Sequence, residues 1–373
     1  MAVKNTDRML DLSRDLLASG VPKYGVGGRR NLIINGAMQV AQRSISEPGI
    51  STSGFYTADR FRTGGNLGTW TQTVENDGPD GFSKSLKMLC TTPAASPTAG
   101  NFLGLGYRLE GQDLQHLKKG TSSAESVTVS FWVKSNKTGT YILEVGDDSN
   151  SYRHINKSYT VNVSGTWEYK TITFEGDTTG AFANDNTSGL ALFFWLGSGS
   201  NFNTGTLQTS WDVSTTANRA VGNVNLADAT SNYFQITGVQ LEVGDTATPF
   251  EHRSYAEEVA LCQRYYQRYS TTSGTSPLFT GVATNGTQLK VSITPYGGPM
   301  RIKPAVTLPG AAAGNQLAKG NGTSSNITAV SLANQGGMGP TYDFTSSGLS
   351  QNHIYYVTGA VGSGAALELD AEL

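Results

Sequence analysis

The stretch SVTVSFWVKSN, residues 126–136, alternates strictly, with Val127, Val129, Phe131 and Val133 on one side of an extended chain and Thr128, Ser130, Trp132 and Lys134 on the other. One side suits a core and the other a wetter surface. The same period of two recurs in YILEVGDD and GTWEYKTITFEGD, while LALFFWLGSG is apolar on both sides and reads as a strand central in its sheet. Clusters of Gly, Asn, Asp and Ser separate such runs from about Asn31 to Arg253, without any alternation of strands and helices. That succession predicts two packed antiparallel sheets.

At 373 residues the chain is long enough for two or three domains, each with its own core. Charged residues make up only 15% and Gly reaches 45, a balance typical of all-β proteins with many tight turns. The formal net charge of -2 offers no general attraction to phosphate backbones or anionic lipid, so neither nucleic-acid binding nor membrane insertion is expected. No window reaches the eighteen apolar residues of a span, and MAVKNTDRML lacks the apolar core of a signal peptide. The only two cysteines, Cys90 and Cys262, read as buried thiols rather than a disulfide framework.

Two stretches break the β pattern. Thr6 to Ala18 reads as a helix with Met9, Leu12 and Leu16 on one stripe, stopped by Gly20 and Pro22. It is too short to stand alone in water, so it docks on its own domain or anchors the chain to a partner or to sister subunits. The second is the stretch 254–269, where Tyr255, Val259, Cys262, Tyr266 and Tyr269 recur at helical spacing while Glu257, Glu258, Arg264 and Arg268 stay solvated. Its apolar seam suits either a three-fold oligomer axis or a linking helix packed against its own two domains. Just before it, GDTATPFEHRSY reads as a boundary clamp, with Pro249 forcing an extended approach and Phe250 covering the sandwich edge. His252 stands there alone and reads as structural.

From 270 to 373, TQLKVSITP, PAVTLPG, HIYYVTGAV and AALELDAEL supply strands for a second, smaller β-domain, with AAAGNQLAKGNGTSSN as a loop between them. The expected organisation is residues 1–30 as anchor and joint, 31–253 as the main sandwich, 254–269 as a linking helix and 270–373 as the small β-sandwich domain.

NLIINGAMQVAQRS, YTADRF, FWVKSN, GTWEYKTITF and the run from ITGVQLEVGD to CQRYYQRY together resemble virion proteins of tailed bacteriophages, of the tail-fibre and receptor-binding kind. The central region also resembles the carbohydrate-binding jelly rolls found beside glycoside hydrolases. The resemblance covers about Asn31 to Tyr269, and the last hundred residues share little of it. It implies an extended virion appendage, usually a homotrimer, built from a central jelly-roll β-sandwich with an N-terminal anchor. It also implies a host-surface glycan as partner, and jelly rolls of this kind often hold a structural calcium; no other cofactor is expected.

For glycan binding, the useful chemistry is an aromatic platform ringed by amides and carboxylates. Trp132 and Trp195 lie opposite the core-facing residues of their strands, and with Phe193 beside the latter and Glu144 in a nearby strand they form the candidate platform; the alternative is that a loop or neighbouring subunit covers them. Trp70, Trp167 and Trp211 read as structural.

No catalytic constellation is present in the sequence. His116, His154, His252 and His353 are scattered, and no HExxH, paired-Cys, GxSxG or phosphate-loop spacing occurs. Asp147, Asp148, Asp177 and Asp185 sit in oxygen-rich loops that suit either turn formation, a calcium ion or paired carboxylates. The expected function is that of a non-enzymatic phage structural protein, a trimeric tail fibre contacting host glycans. Capsid or tail-nozzle decoration is the first alternative, and polysaccharide depolymerisation the last.

Overall fold

The alternating strands build two antiparallel sheets, as the period of two requires. In the computed structural model, which describes residues 29–270, 277–293, 298–307, 315–319, 324–336, 339–359 and 366–373, the chain is mainly β. It divides into two units, Met1–Glu258 with Leu373 and Val259–Glu372. Met9, Leu12, Leu16 and the helix expected around them lie outside the described residues. Among the described residues no helix is long and apolar enough to cross a membrane.

In the first unit, one sheet runs in the order Ser46–Ile50, Thr69–Glu75, Ser85–Thr92, Tyr233–Val243, Val127–Ser135, Glu168–Phe174. The other runs Asp212–Val213, Arg153–Val161, Gly139–Asp147, Ser188–Ser198, Phe102–Glu110, Arg62–Gly65, Gly54–Phe55. Val129, Phe131 and Val133 of the first sheet are buried with Leu143, Val145, Leu192 and Phe194 of the second in one continuous core. Edge-to-face rings join the layers: Phe131 meets Phe194 and Tyr159 at 5.1 Å each. Each large apolar side chain so buried contributes about 1.5–3 kcal/mol, and the alternation that supplies them also delivers their neighbours to the outer faces.

The segment NLIINGAMQ is pinned along the strand Tyr233–Val243. Asn31 accepts from the Leu241 amide at 3.1 Å and donates to the Val239 carbonyl at 3.2 Å. Gly36 is required beside it, since a Cβ there would sit 2.1 Å from the Val239 oxygen. From the GDTATPFEHRSY segment, Glu251 accepts the Asn31 amide at 2.8 Å, and Arg253 bridges the Ile33 carbonyl at 3.0 Å and Glu258 at 2.8 Å. These contacts close the clamp.

The helix expected over 254–269 is shorter than its spacing predicts: it spans Tyr255–Gln263, and the division between units falls inside it. Tyr266 and Tyr269 instead lie on the strand Tyr266–Ser270, paired with Asp370 and Leu367 of the strand Ala366–Asp370. Closely set tyrosines favour a strand when a partner is available, and the ALELD strand supplies one. Cys262 (0% exposed), Tyr266 and Tyr269 are buried, Val259 is half-buried and Tyr255 is 64% exposed, so the five residues form no exposed helical stripe. Cys90 and Cys262 are free, buried thiols.

The second unit contains a three-stranded sheet, Tyr266–Ser270, Ala366–Asp370, Ala305–Thr307, and a seven-stranded sheet with Ile354–Gly359, Pro277–Ala283 and Gln288–Ser292 at its centre. Leu289, Val291, Tyr342, Phe344, Val357 and Leu369 build its core. Part of the presumed loop AAAGNQLAKGNGTSSN is strand: Asn315–Lys319 pairs with Ile354–Gly359 and with Ser324–Asn326. Backbone pairing overrides its polar, loop-like composition.

Candidate functional site: an aromatic groove on one sheet

The outer face of the first sheet carries the side chains that alternate away from the core. Trp132 stands there opposite its register partner Tyr169, with ring centroids 5.2 Å apart. Tyr169 is 45% exposed and Trp132 half-buried. Ser130, the next outward residue, forms part of the floor; it is 2% exposed, and its hydroxyl has no hydrogen-bond partner among the described residues. Thr171 lies beside it from the neighbouring strand.

A bulge completes the floor. The pairing of Tyr233–Val243 with Val127–Ser135 slips between Thr237 and Gln240, and Gly238 adopts φ 61°. A Cβ at Gly238 would lie 2.8 Å from the Phe82 ring and 3.1 Å from the Trp132 indole, so only glycine lets both rings rest on this backbone. Phe82, from the loop after Asp77, packs at 5.0 Å on Phe250 and 5.3 Å on His252, both from the clamp segment. Together these residues line a groove of about 850 Å³ with Asp80 and Asp245 among its walls. That volume takes several sugar rings rather than one.

Beside the groove, Asp77 accepts from Lys134 at 2.5 Å, from Gln235 at 3.0 Å and from the Trp167 indole at 3.4 Å. Burial works to raise this carboxyl, but the bonds from Lys134, Gln235 and Trp167 outweigh it and hold Asp77 below the usual carboxylate range. Trp167 is thereby held in place, with the Lys134 ammonium 5.3 Å from its ring.

Phe193, Trp195 and Glu144 come together on the other sheet, away from Trp132. The four do not form one platform. The rings of Phe193 and Trp195 meet at 4.9 Å, and the Trp195 indole donates to Glu144 at 3.3 Å. Segment 199–225 covers this face with Phe202, Leu207 and Ala220, leaving Trp195 and Glu144 each 1% exposed. Arg219 from that segment donates to both Glu144 oxygens at 2.6 and 2.8 Å, and the Tyr152 hydroxyl adds a further bond at 2.7 Å. Burial would raise the Glu144 carboxyl, yet the adjacent Arg219 charge holds it below its ordinary value, while burial followed by the Glu144 charge pushes the Tyr152 phenol up. Trp195 and Glu144 are thus internal, structural groups. Phe193 borders a depression of only about 60 Å³ beside Arg62 and Arg108, too small for a sugar ring.

The oxygen-rich loops do converge, on a lysine. Lys119 reaches Asp147 at 2.5 Å, Asp177 at 3.1 Å and the carbonyls of Thr179 and Gly180 at 2.7 Å each. The ammonium sits where these two loops could otherwise have offered oxygens to a cation. Arg153 adds a second pair to Asp177 at 2.8 Å, Asp148 pairs with Arg108 at 2.9 Å, and Asp185 closes a turn by accepting the Thr187 amide at 2.9 Å. Among the described residues no group of three or more His, Cys, Asp or Glu is arranged to hold a metal. His154 is buried, with its pKa lowered by that burial, and His116 and His353 lie elsewhere.

Sequence alternation identified Trp132 but missed Tyr169, Phe82, Phe250 and His252. Tyr169 was recoverable, because it shares a parity with Thr171 and Thr173 opposite the core residues Ile172 and Phe174. Phe82 and Phe250 arrive from loops separated by more than 160 residues, a proximity that no local pattern carries.

No protein-family model matches the chain, and no curated protein matches it. Solved structures similar to it include the enzymatically active domain of bacteriophage CBA120 tailspike protein 4, at 13% identity and a TM-score of 0.29 over 57% of this chain and 21% of that one. TmCBM61 in complex with β-1,4-galactotriose is similar at 10% identity and a TM-score of 0.30, over 58% of this chain and 99% of that one. The CBM22-1 xylan-binding domain of Paenibacillus barcinonensis Xyn10C is similar at 11% identity and a TM-score of 0.29, over 59% and 100%. This chain thus spans about a fifth of the tailspike structure and the whole of the small modules.

Proposed function

We propose that this protein binds polysaccharide through the groove on the first sheet, and that it does so as a tail-fibre protein on the virion of a tailed bacteriophage, meeting host surface glycans. One observation carries the binding reading: Trp132 and Tyr169 form a half-exposed aromatic surface above a Ser130 hydroxyl that has no partner among the described residues, inside a groove large enough for several sugars. Aromatic faces stack on the apolar faces of sugar rings, while Ser130, Asp80 and Asp245 offer hydrogen bonds to hydroxyls. The virion reading is supported by the sequence resemblance in NLIINGAMQ, YTADRF and the VQLE strand. A homotrimer belongs to that reading, but its contacts must come from elsewhere than the Tyr255–Tyr269 stretch, which does not form a seam.

The proposed role is binding without cleavage. Asp147, Asp177 and Asp148 are each engaged by a basic side chain, which favours turn and core duties over hydrolysis. Retention on immobilised host surface polysaccharide, compared between the wild type and Trp132→Ala, tests the proposal. Retention lost with the indole supports it, whereas equal retention of both proteins contradicts it.

A further inference from the structure

We infer that the groove selects glycans that carry free, protonated amino groups, an inference that rests on the glycan-binding reading above. At neutral pH the charged residues lining the groove are Asp80 and Asp245; His252 is its other titratable side chain besides Tyr169, and among the described residues no lysine or arginine lines it. Both carboxylates are exposed, and neither forms an ion pair among the described residues; Asp245 receives only the Thr246 hydroxyl at 3.1 Å. Asp77, just outside, shows the contrast, since Lys134 neutralises it at 2.5 Å. The groove therefore carries uncompensated negative charge next to two aromatic faces.

Both features favour the same ligand chemistry. An ammonium on a sugar ring is attracted by an unpaired carboxylate and by the face of a tryptophan or tyrosine. A uronate or sialate carboxyl entering the same groove meets repulsion from Asp80 and Asp245. The Ser130 hydroxyl on the floor, unpartnered among the described residues, supplies a neutral hydrogen bond to either kind of sugar and so adds affinity without setting this preference.

The test compares a hexamer of β-1,4-linked glucosamine with its fully N-acetylated counterpart by titration calorimetry at neutral pH, where an ordinary imidazole is mostly uncharged and a substantial fraction of the sugar amines is protonated. The free-amine hexamer is expected to bind roughly tenfold more tightly. In the double variant Asp80→Asn, Asp245→Asn, whose melting temperature matches the wild type and so shows that it is folded, the ratio falls to within about twofold. Equal affinities in the wild type, or a ratio unchanged in the double variant, overturn the selectivity while leaving the groove's role intact. Undiminished binding of both hexamers by Trp132→Ala removes the groove reading itself, and the inference with it.

Discussion

Trp132 and Tyr169 are register partners across neighbouring strands, and their rings stand 5.2 Å apart on the face of the sheet that turns away from the core. Because both side chains project outward, their truncation removes ligand contact without opening the core. Each of Trp132→Ala and Tyr169→Ala is expected to weaken glycan binding by about 1–2 kcal/mol, roughly 5- to 30-fold, with the midpoint of thermal unfolding little changed. Trp195→Ala should do the reverse. It empties a buried site and costs about 3–5 kcal/mol of stability, while the folded fraction binds glycan normally. Paired unfolding and binding curves on the three variants check this.

Gly238 joins backbone geometry to the site. Alanine there must adopt a left-handed conformation and would press on Phe82 and Trp132. Gly238→Ala should lose about 1–2 kcal/mol of stability and also weaken glycan binding, because the displaced rings are the groove walls. A stable variant with full affinity would show that the bulge does not set the ring positions.

Lys119 holds the two acidic loops together from the inside. Its replacement by methionine leaves Asp147 buried without its cation and Asp177 with Arg153 alone, at a cost of about 3–5 kcal/mol measurable by denaturant unfolding. With an ammonium already between these loops, a chelator should leave the melting temperature of the wild type unchanged. A clear drop on adding EDTA would mean that a metal ion contributes to stability.

Glu168 gives an acid-sensitive step. It accepts from the amides of Asn162 and Val163 at 2.7 and 2.8 Å and from Lys170 at 2.7 Å. Partial burial opposes ionisation, but these bonds prevail and lower its pKa from 4.5 to about 2. A carboxyl depressed in the folded state stabilises the protein above the unfolded value, and that contribution is lost as pH falls from about 4.5 to 2. Glu168→Gln should therefore be less stable than the wild type at neutral pH, with the difference shrinking across this window in thermal melts.

The sandwich was legible because strand parity is local. Val127, Val129, Phe131 and Val133 declare a buried side by themselves, and their outward neighbours Ser130 and Trp132 follow without tertiary information. Parity also set Trp195 on the side opposite the core-facing residues, but it could not show that segment 199–225 folds over that face and buries it. The helix failed for a related reason: the spacing from Tyr255 to Tyr269 fits a helical seam, yet the end of the chain pairs with Tyr266–Ser270 and turns its second half into a strand. In each case a distant segment decided what local spacing left open.

The five tryptophans make the central claim directly measurable. Each indole N–H gives one resolvable signal in a nitrogen-15 correlation spectrum, assignable by single substitution, and the protein is titrated with β-linked oligomers of glucose, galactose, xylose and glucosamine. The account predicts that a binding oligomer moves the Trp132 signal and leaves Trp195 in place. A spectrum in which Trp132 stays still throughout, or in which Trp195 moves instead, would contradict it.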